Sequence, residues 1–398
     1  MHRVTAEHTP GNPAHGIASP AAKGFPALTG VRALAATMVF WHHYLPSART
    51  WGWLIHSIFK ELHIGVTLFF VLSGFLIYLR HSSAESLHKA PLIRYAFHRF
   101  ARVYPMYFLI VVGMAIWTAL YDPAHFRFAD MARDLLLQLT FIRGFSDQYK
   151  FIGVGQGWTL TVEATFYALY PVLLKLIRRF GFLPVLLLTY ATGLVLYGLG
   201  SAVNRGSFFT PFTFVLFYTF FGRALDFFAG MKLADYVHRK GIGHQAPETS
   251  MESRRFPSFT TAGVLGIAGC IYALARLEPS NQQYGTETLT GALLLILALP
   301  PLVCALLYGL IREPSWLAQF FGSRLLVTLG ASSYCFYLIH VGGPNLMIGH
   351  WAYDIGFFIA YLLILCISVL LWSLVEEPLR RLILARGFHL FLPRSKVP

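Results

Sequence analysis

Residues 291–311 read GALLLILALPPLVCALLYGLI, an apolar run without a charged side chain. A helix needs about 20 such residues to cross a hydrocarbon core of about 30 Å. Similar runs recur along the 398-residue chain, in which 56% of residues are hydrophobic and 13% are charged. A typical soluble domain has about 25% charged residues. The sequence therefore predicts an all-α, polytopic membrane protein and argues against a soluble fold.

Hydropathy predicts a bundle of about ten transmembrane helices. The expected spans are residues 27–45, 62–79, 104–121, 158–177, 182–200, 212–231, 259–276, 289–311, 325–346 and 355–375. Residues 131–143 are apolar but too short to cross the bilayer, and we interpret them as an interfacial or re-entrant segment. Residues 25–381 thus form one membrane domain. A disordered cytoplasmic tail is expected at 1–24 and a cytoplasmic C-terminal tail at 382–398.

The net charge of +14 would suggest a nucleic-acid partner for a soluble protein, but most of the 32 lysines and arginines here flank apolar runs. Basic residues gather on the cytoplasmic side of membrane proteins. Their distribution predicts that both termini and loops 80–103 and 232–258 are cytoplasmic, and that the partners are membrane lipids rather than nucleic acid. The four cysteines lie far apart inside apolar runs, so neither a disulfide nor a metal site is expected.

Ionisable groups inside a membrane are costly and usually functional, and the segment LTGVRALAATMVFWHHY at residues 28–44 contains several. Arg32 and His43 are eleven residues apart, within about 20° of three full helical turns, and so share one helical face. His42 is displaced by roughly 80° to 100° from that face. A desolvated, neutral His43 can act as a general base. The structural alternative is a snorkelling arginine with an interfacial histidine.

A second segment, RYAFHRFARVYP at residues 94–105, places three arginines before the third predicted span. Arg99 and Arg102 are neighbours on a helix surface and, with Arg94, form a cationic patch at the cytoplasmic edge. Guanidinium groups bind phosphate through paired hydrogen bonds, so this patch can hold a phosphorylated donor. The alternative is an anchor for lipid headgroups.

A third segment, GWTLTVEATFYALYP at residues 157–171, contains a carboxylate inside an apolar span. Glu163 needs a cation, a hydroxyl or a substrate as its partner at this depth, and Tyr167 follows at i+4 on the same face. A second intramembrane acid, Asp226, has Arg223 three residues before it. An internal ion pair explains that acid, which makes it a weaker candidate than Glu163.

These segments resemble the acyltransferase 3 family of bacterial integral membrane acyltransferases, which includes polysaccharide and lipopolysaccharide O-acetyltransferases. The resemblance covers residues 25–381 and rests on six motifs that follow one another in order. They are LTGVRALAATMVFWHHY with its R-x10-H spacing, GVTLFFVLSGFLI at 65–77, HRFARVYP with its R-x-x-R, WTLTVEATFYALYP at 158–171, SSYCFYLIH at 332–340 and EEPLRR at 376–381.

The resemblance implies transfer of an acyl group, commonly acetyl from acetyl-CoA, to a hydroxyl of a carbohydrate or another acceptor such as a lipid-linked glycan, at the bacterial inner membrane. Acyl-CoA would be a donor substrate, with no permanently bound cofactor. His43 would be the base and Arg32 its face-sharing partner, with Glu163 as a further catalytic candidate. Arg99 and Arg102 would meet the donor. The remaining substrate-binding candidates are Trp158, Tyr167 and His340.

Other interpretations stay open at the level of the sequence. A membrane transporter would use Arg32, His43 and Glu163 as an intramembrane proton relay, although the chain shows none of the duplication common in transporters. An exporter would move the acyl group alone. Some relatives carry an appended extracytoplasmic hydrolase-like domain, whereas this chain ends soon after its last span. It is expected to complete the transfer itself or to pass the acyl group to a separate protein. A structural hydrogen-bonding role is the alternative for His340.

Overall fold

The computed structural model describes residues 25–44, 48–121, 127–203, 206–241, 257–278, 284–341 and 356–391. These ranges are almost entirely helical, and the β-bridge within them joins Ser146 to Phe208. The all-α prediction is therefore confirmed. The predicted tail at 1–24, residues 242–256 of the predicted loop and residues 392–398 lie outside the described ranges.

In chain order, the helices of the first half are α1 (Pro26–His43), α2 (Ala48–Trp51), α3 (Trp53–Lys60), α4 (Gly65–His81), α5 (Lys89–Tyr121), α6 (Phe128–Leu139), α7 (Trp158–Phe180) and α8 (Phe182–Val203). In the second half they are α9 (Phe212–Tyr218), α10 (Ala224–Arg239), α11 (Ser258–Leu277), α12 (Leu289–Leu293), α13 (Leu299–Arg312), α14 (Trp316–Phe321), α15 (Arg324–Ala331), α16 (Ser333–Ile339), α17 (Phe357–Leu371) and α18 (Glu377–Phe391). Short 3₁₀ turns lie at Glu61–Ile64, Ala84–Leu87, Ile142–Phe145, Gly155–Gly157 and Gly285–Glu287, and π-helical turns at Leu294–Ala298 and Trp372–Glu376.

Seven helical segments of the described ranges are long and apolar enough to cross a membrane. They are Trp53–His81, Lys89–Tyr121, Gly155–Phe180, Phe182–Val203, Ser258–Leu277, Leu289–Arg312 and Phe357–Gly387. Leu187, Val195 and Leu199 on α8 are exposed, as expected for side chains that face lipid. The polytopic membrane fold is confirmed. The predicted count of ten is approximate, because α1 is not among these seven segments and two other predicted spans are broken.

The predicted span at 212–231 is wrong as a single helix, because the chain breaks between α9 and α10. Arg223 lies at this break, and its side chain donates to Asp226 Oδ2 at 2.7 Å and to Thr67 Oγ1 at 2.5 Å. The expected internal ion pair is therefore present. At Gly222 a Cβ would collide with the carbonyl oxygen of Leu216, so this turn requires glycine.

The predicted span at 325–346 is also interrupted, in this case at Ser332 between α15 and α16. The Ser332 hydroxyl donates to the Leu329 carbonyl at 3.1 Å, a local bond that competes with helix continuation. Residues 342–346 of this prediction lie outside the described part of the chain. α16, which follows the break, contacts α1.

Two helices extend beyond their predicted ends. α5 begins at Lys89, so the arginine-rich segment before the third predicted span belongs to the same helix as that span. α18 crosses the predicted domain boundary at 381 and continues to Phe391. The two helices pack against each other, with Gly387 of α18 close to the ring of Phe97.

α1 lies in the interior of the bundle, which decides where the functional groups meet. It packs against α4 and α15 and contacts α14 and α16. At Gly30 a Cβ would collide with the Phe321 backbone, and at Gly330 with the Thr29 carbonyl. Small residues of this kind let membrane helices approach closely. The polar side chains of α1 from Thr29 to His42 are therefore partly covered by protein, whereas His43 is exposed.

Candidate active site

Arg32 borders a small cavity between the helices, which we call the Arg32 pocket and which has both apolar and polar lining residues. The cavity has a volume of about 50 Å³, which is enough for a few water molecules. Arg32 Nε donates to Ser333 Oγ at 3.3 Å, and its guanidinium lies 5.6 Å from the centre of the Phe69 ring. The other polar residues that line the pocket are Ser73, Thr159, Glu163, Ser333, Tyr334 and Tyr337.

Glu163 projects into the same pocket and is held by two hydroxyl groups. Ser73 Oγ donates to Glu163 Oε1 at 2.5 Å, and the Tyr167 hydroxyl donates to the same oxygen. The guanidinium of Arg99 lies 5.6 Å from the centre of the Tyr167 ring. Arg32 also interacts electrostatically with Glu163. The carboxylate that the sequence singles out is thus fixed in position between two arginines.

A group of basic side chains, which we call the arginine cluster, surrounds the end of α5 that carries Arg99 and Arg102. Both arginines are half-buried, whereas Arg94 on the same helix is exposed. Arg99 Nε is buried without a hydrogen-bond partner among the described residues. The other members of the cluster, which lie in separate segments of the sequence, are Arg80, His81, His98 and Arg380. They come from α4, α5 and α18.

His43 belongs to a third group, which we call the histidine cluster, at the far end of α1. The ring of His43 is 5.4 Å from that of His340 and 4.7 Å from that of His42, measured between centroids. His42 in turn lies 5.4 Å from His63 and 5.7 Å from Tyr284. The His43 side chain is exposed, whereas His340 is fully buried. Sequence reasoning missed His63 and Tyr284, since neither lies in a motif.

The hydrogen bonds of His340 fix its orientation. Its Nδ1 lies 2.9 Å from the Tyr337 carbonyl oxygen, and because a carbonyl can only accept, Nδ1 carries the proton. Nε2 then keeps its lone pair, and it has no partner among the described residues. Gln156 Nε2 donates to the same carbonyl at 2.6 Å, and the Tyr44 hydroxyl donates to the His340 carbonyl at 3.1 Å.

Arg143 holds the loop from which Gln156 projects. It is fully buried and donates to the carbonyls of Ile152 and Val154, the second at 2.6 Å. Burial lowers the pKa of the Arg143 guanidinium. Its role is therefore to shape the segment under the histidine cluster, which an isolated arginine in the sequence could not reveal.

Most of the residues singled out from the sequence lie in or beside the Arg32 pocket, the arginine cluster or the histidine cluster. Arg32 and His43 both contact the 333–340 segment, as expected for two side chains on one face of α1. They are nevertheless about 16 Å apart along α1, so Arg32 is too far away to touch His43 directly. Trp158 packs against Tyr218, with 4.7 Å between ring centroids, and is not among the residues that line the Arg32 pocket.

In the described part of the chain, no three His, Cys, Asp or Glu side chains are arranged to hold a metal ion. The site itself presents imidazole, carboxylate, hydroxyl and guanidinium groups. Such groups suit proton transfer at one end of α1 and anion binding at the other.

Comparison with protein families gives a match to the acyltransferase domain model over residues 25–376. The chain is 26% identical to the peptidoglycan O-acetyltransferase OatA of Listeria monocytogenes over 80% of its own length and 49% of that protein. It is 26% identical to the acyltransferase MdmB of Streptomyces mycarofaciens, covering 90% of the chain and 92% of MdmB.

A third relative is the O-acetyltransferase OatA of Staphylococcus aureus, which is 22% identical over 93% of the chain and 59% of that protein. The chain thus spans about half to three fifths of the length of the OatA proteins, and nearly all of MdmB. No solved structure matches the chain.

Proposed function

Because the chain belongs to this acyltransferase family, we propose that it is an O-acyltransferase that moves an acyl group, with acetyl as the first candidate, from acyl-CoA to a hydroxyl. The carrying observation is the arrangement of polar groups around α1. Arg32 borders the Arg32 pocket and interacts with Arg102 of the arginine cluster, and His43 with His340 lies at the C-terminal end of α1.

The arginine cluster supports an anionic donor. Arg99 and Arg102 turn into the bundle, and Arg99 keeps a buried donor without a partner among the described residues. A lipid-headgroup anchor would direct these side chains outward. The phosphates of CoA match both the charge and the hydrogen-bond geometry of guanidinium groups. CoA is a cytoplasmic ligand, in agreement with the cytoplasmic orientation predicted for this end.

The histidine cluster supports deprotonation of the acceptor. In the proposed step, the acceptor oxygen forms a bond to the acyl carbonyl carbon while His43 takes the hydroxyl proton. When the tetrahedral intermediate collapses, the carbon–sulfur bond breaks and CoA leaves as a thiolate, which then takes up a proton. We propose that His340 accepts the proton that His43 gains, since the two rings lie 5.4 Å apart and His340 Nε2 has no partner among the described residues.

The names of the OatA relatives favour acetyl as the acyl group and a cell-wall glycan as the acceptor. We propose a carbohydrate acceptor for this chain on that basis. The transporter alternative finds less support, since the family match concerns acyl transfer.

The test uses purified protein in lipid nanodiscs, labelled acetyl-CoA and soluble peptidoglycan fragments. We expect release of CoA thiol, and we expect His43→Ala to lower it by about 10² to 10⁴. The matched control is His42→Ala, which should keep most activity because its ring faces Lys60 rather than His340. An inactive His42→Ala with an active His43→Ala would refute the assignment. No turnover by the wild-type protein would favour a transporter.

A further inference from the structure

A further polar group adjoins the histidine cluster and shares His63 and Tyr284 with it, and the proposed reaction gives its residues no role. Its residues come from the end of α3, from the 3₁₀ turn that follows α3 and from the segment after α11. Its members, which we call the Glu61 group, are Lys60, Glu61, His63, Glu278 and Tyr284. The His42 ring lies between this group and His43, in contact with both His63 and Tyr284.

The carboxylates of this group are buried, and in each of them only one oxygen accepts a hydrogen bond from a described residue. Glu61 is fully buried, and its Oε1 accepts the Gly285 amide at 2.7 Å. Glu61 Oε2 is 3.6 Å from His63 Nδ1, which is beyond hydrogen-bond distance. Glu278 pairs with Lys60 Nζ at 2.5 Å through Oε1. The second oxygen of each carboxylate has no hydrogen-bond partner among the described residues.

The imidazoles nearby add further acceptors. His63 Nδ1 faces the Lys60 carbonyl oxygen at 3.4 Å, which can only accept. Nδ1 therefore carries the proton, and Nε2 is left as an acceptor. His340 also presents an unpaired Nε2. The region is thus rich in acceptors and poor in free donors, and buried acceptors of this kind call for a ligand or water that donates.

Hydroxyl groups suit this set of acceptors. Lys60 lies 5.3 Å from the centre of the Tyr284 ring and is paired with Glu278 Oε1, so it does not serve the second oxygen of either carboxylate. Several neutral hydroxyl groups on one molecule satisfy the acceptors without added charge. The Tyr284 ring provides a flat aromatic wall of the kind found in small-molecule sites, and the His63 side chain, 25% exposed, lies at the rim.

We propose that Glu61, Glu278, His63 and Tyr284 form the acceptor-binding site, which holds the hydroxyl groups of a carbohydrate next to His43. This proposal rests on the proposed function, which gives the site its role in acyl transfer. It adds the residues that select the acceptor. Binding of the carbohydrate itself requires neither acyl-CoA nor turnover.

The experiment measures binding of chitotetraose and of maltotetraose to the purified full-length protein without acyl-CoA, by isothermal titration calorimetry. Glu61→Gln keeps an oxygen for the Gly285 amide but replaces the free acceptor with a donor. We expect it to raise the saccharide Kd about tenfold, the size expected for one charged hydrogen bond, with acetyl-CoA affinity unchanged. Asp130→Asn, which removes an exposed carboxylate from α6, is the matched control and should bind as the wild type does.

Tyr284→Leu provides an independent variant in case Glu61→Gln does not fold, and it should weaken saccharide binding by a similar factor. The proposal is overturned if neither saccharide binds the wild-type protein, or if Glu61→Gln and Tyr284→Leu bind with wild-type affinity. Equal loss of saccharide and acetyl-CoA binding in both variants would assign the group a structural role and also overturn it. Failure of acetyl-CoA turnover with intact saccharide binding would count against the proposed function instead.

Discussion

The three arginines of α5 have different surroundings, although they lie close together on one helix. Arg94 is exposed, whereas Arg99 meets Tyr167 and Arg102 interacts with Glu376 and Arg32. The sequence indicated a cationic patch but left its purpose undecided. The inward orientation of these two side chains favours the donor site over the lipid anchor.

Replacement of these arginines with lysine distinguishes a role in donor binding from a role as a lipid-headgroup anchor. Lysine keeps the positive charge but loses the planar fork that binds phosphate through two hydrogen bonds. We expect Arg99→Lys and Arg102→Lys each to raise the Kd for acetyl-CoA by about tenfold or more. Arg179→Lys, at the exposed end of α7, should leave that Kd unchanged. Wild-type donor affinity in both cluster variants would return the pair to a role in membrane topology.

Residue spacing predicted contacts within one helix better than contacts between helices. The i+4 pair of Glu163 and Tyr167 and the i,i+3 pair of Arg223 and Asp226 both form as expected. The hydrogen bond from the Gly285 amide to Glu61 joins residues 224 positions apart. No periodicity encodes such a contact, because it depends on how α3 and α11 pack.

At the scale of elements, hydropathy located the apolar segments but not their interruptions. The breaks at 219–223 and at Ser332 lie inside runs that are apolar enough to be read as continuous spans. What interrupts them is a tertiary contact in one case, between Arg223 and Thr67, and a local hydroxyl bond in the other. Both breaks lie beside polar groups, in keeping with irregular backbone that is tolerated in membranes only where protein surrounds it.

Glu313, in the turn after α13, caps the N-terminus of α11 and gives a test of one element. Its carboxylate accepts the Phe259 amide at 2.8 Å and the Thr260 amide and hydroxyl at 2.9 and 2.6 Å. Burial alone would raise the pKa of Glu313, but hydrogen bonds from Thr260, Phe259 and Ser258 outweigh it and hold the pKa below its ordinary value of 4.5. The ionised form therefore stabilises the fold.

We expect Glu313→Gln to lower the free energy of unfolding by about 0.5–2 kcal/mol at neutral pH, the range for a lost helix cap. Because the folded pKa is depressed, the contribution of the charge is complete above pH 4.5 and is lost as the pH falls through the lower folded value. Thermal unfolding in detergent at neutral and acidic pH measures both effects. An equal deficit for Glu85→Gln, an exposed carboxylate, would show that the effect is not specific to the cap.

At the scale of the whole molecule, α1 connects two chemically different ends. The arginine cluster gathers side chains from α4, α5 and α18, and the histidine cluster gathers them from α1, the turn after α3 and the end of α16. The basic residues of the sequence predict that the first end faces the cytoplasm, and this orientation stays a prediction. Under the proposed function, the donor would bind at the cytoplasmic end and His43 would act as the base towards the other side of the membrane.

The most direct test of this account is CoA release by sealed membrane vesicles of opposite orientation, with labelled acetyl-CoA supplied only in the outer medium. Inside-out vesicles expose the predicted cytoplasmic end, so they should release CoA and transfer label to glycan in their lumen, and His43→Ala should abolish both. Right-side-out vesicles should do neither until they are permeabilised. Equal CoA release by intact vesicles of both orientations, or release that His43→Ala leaves unchanged, would contradict the account.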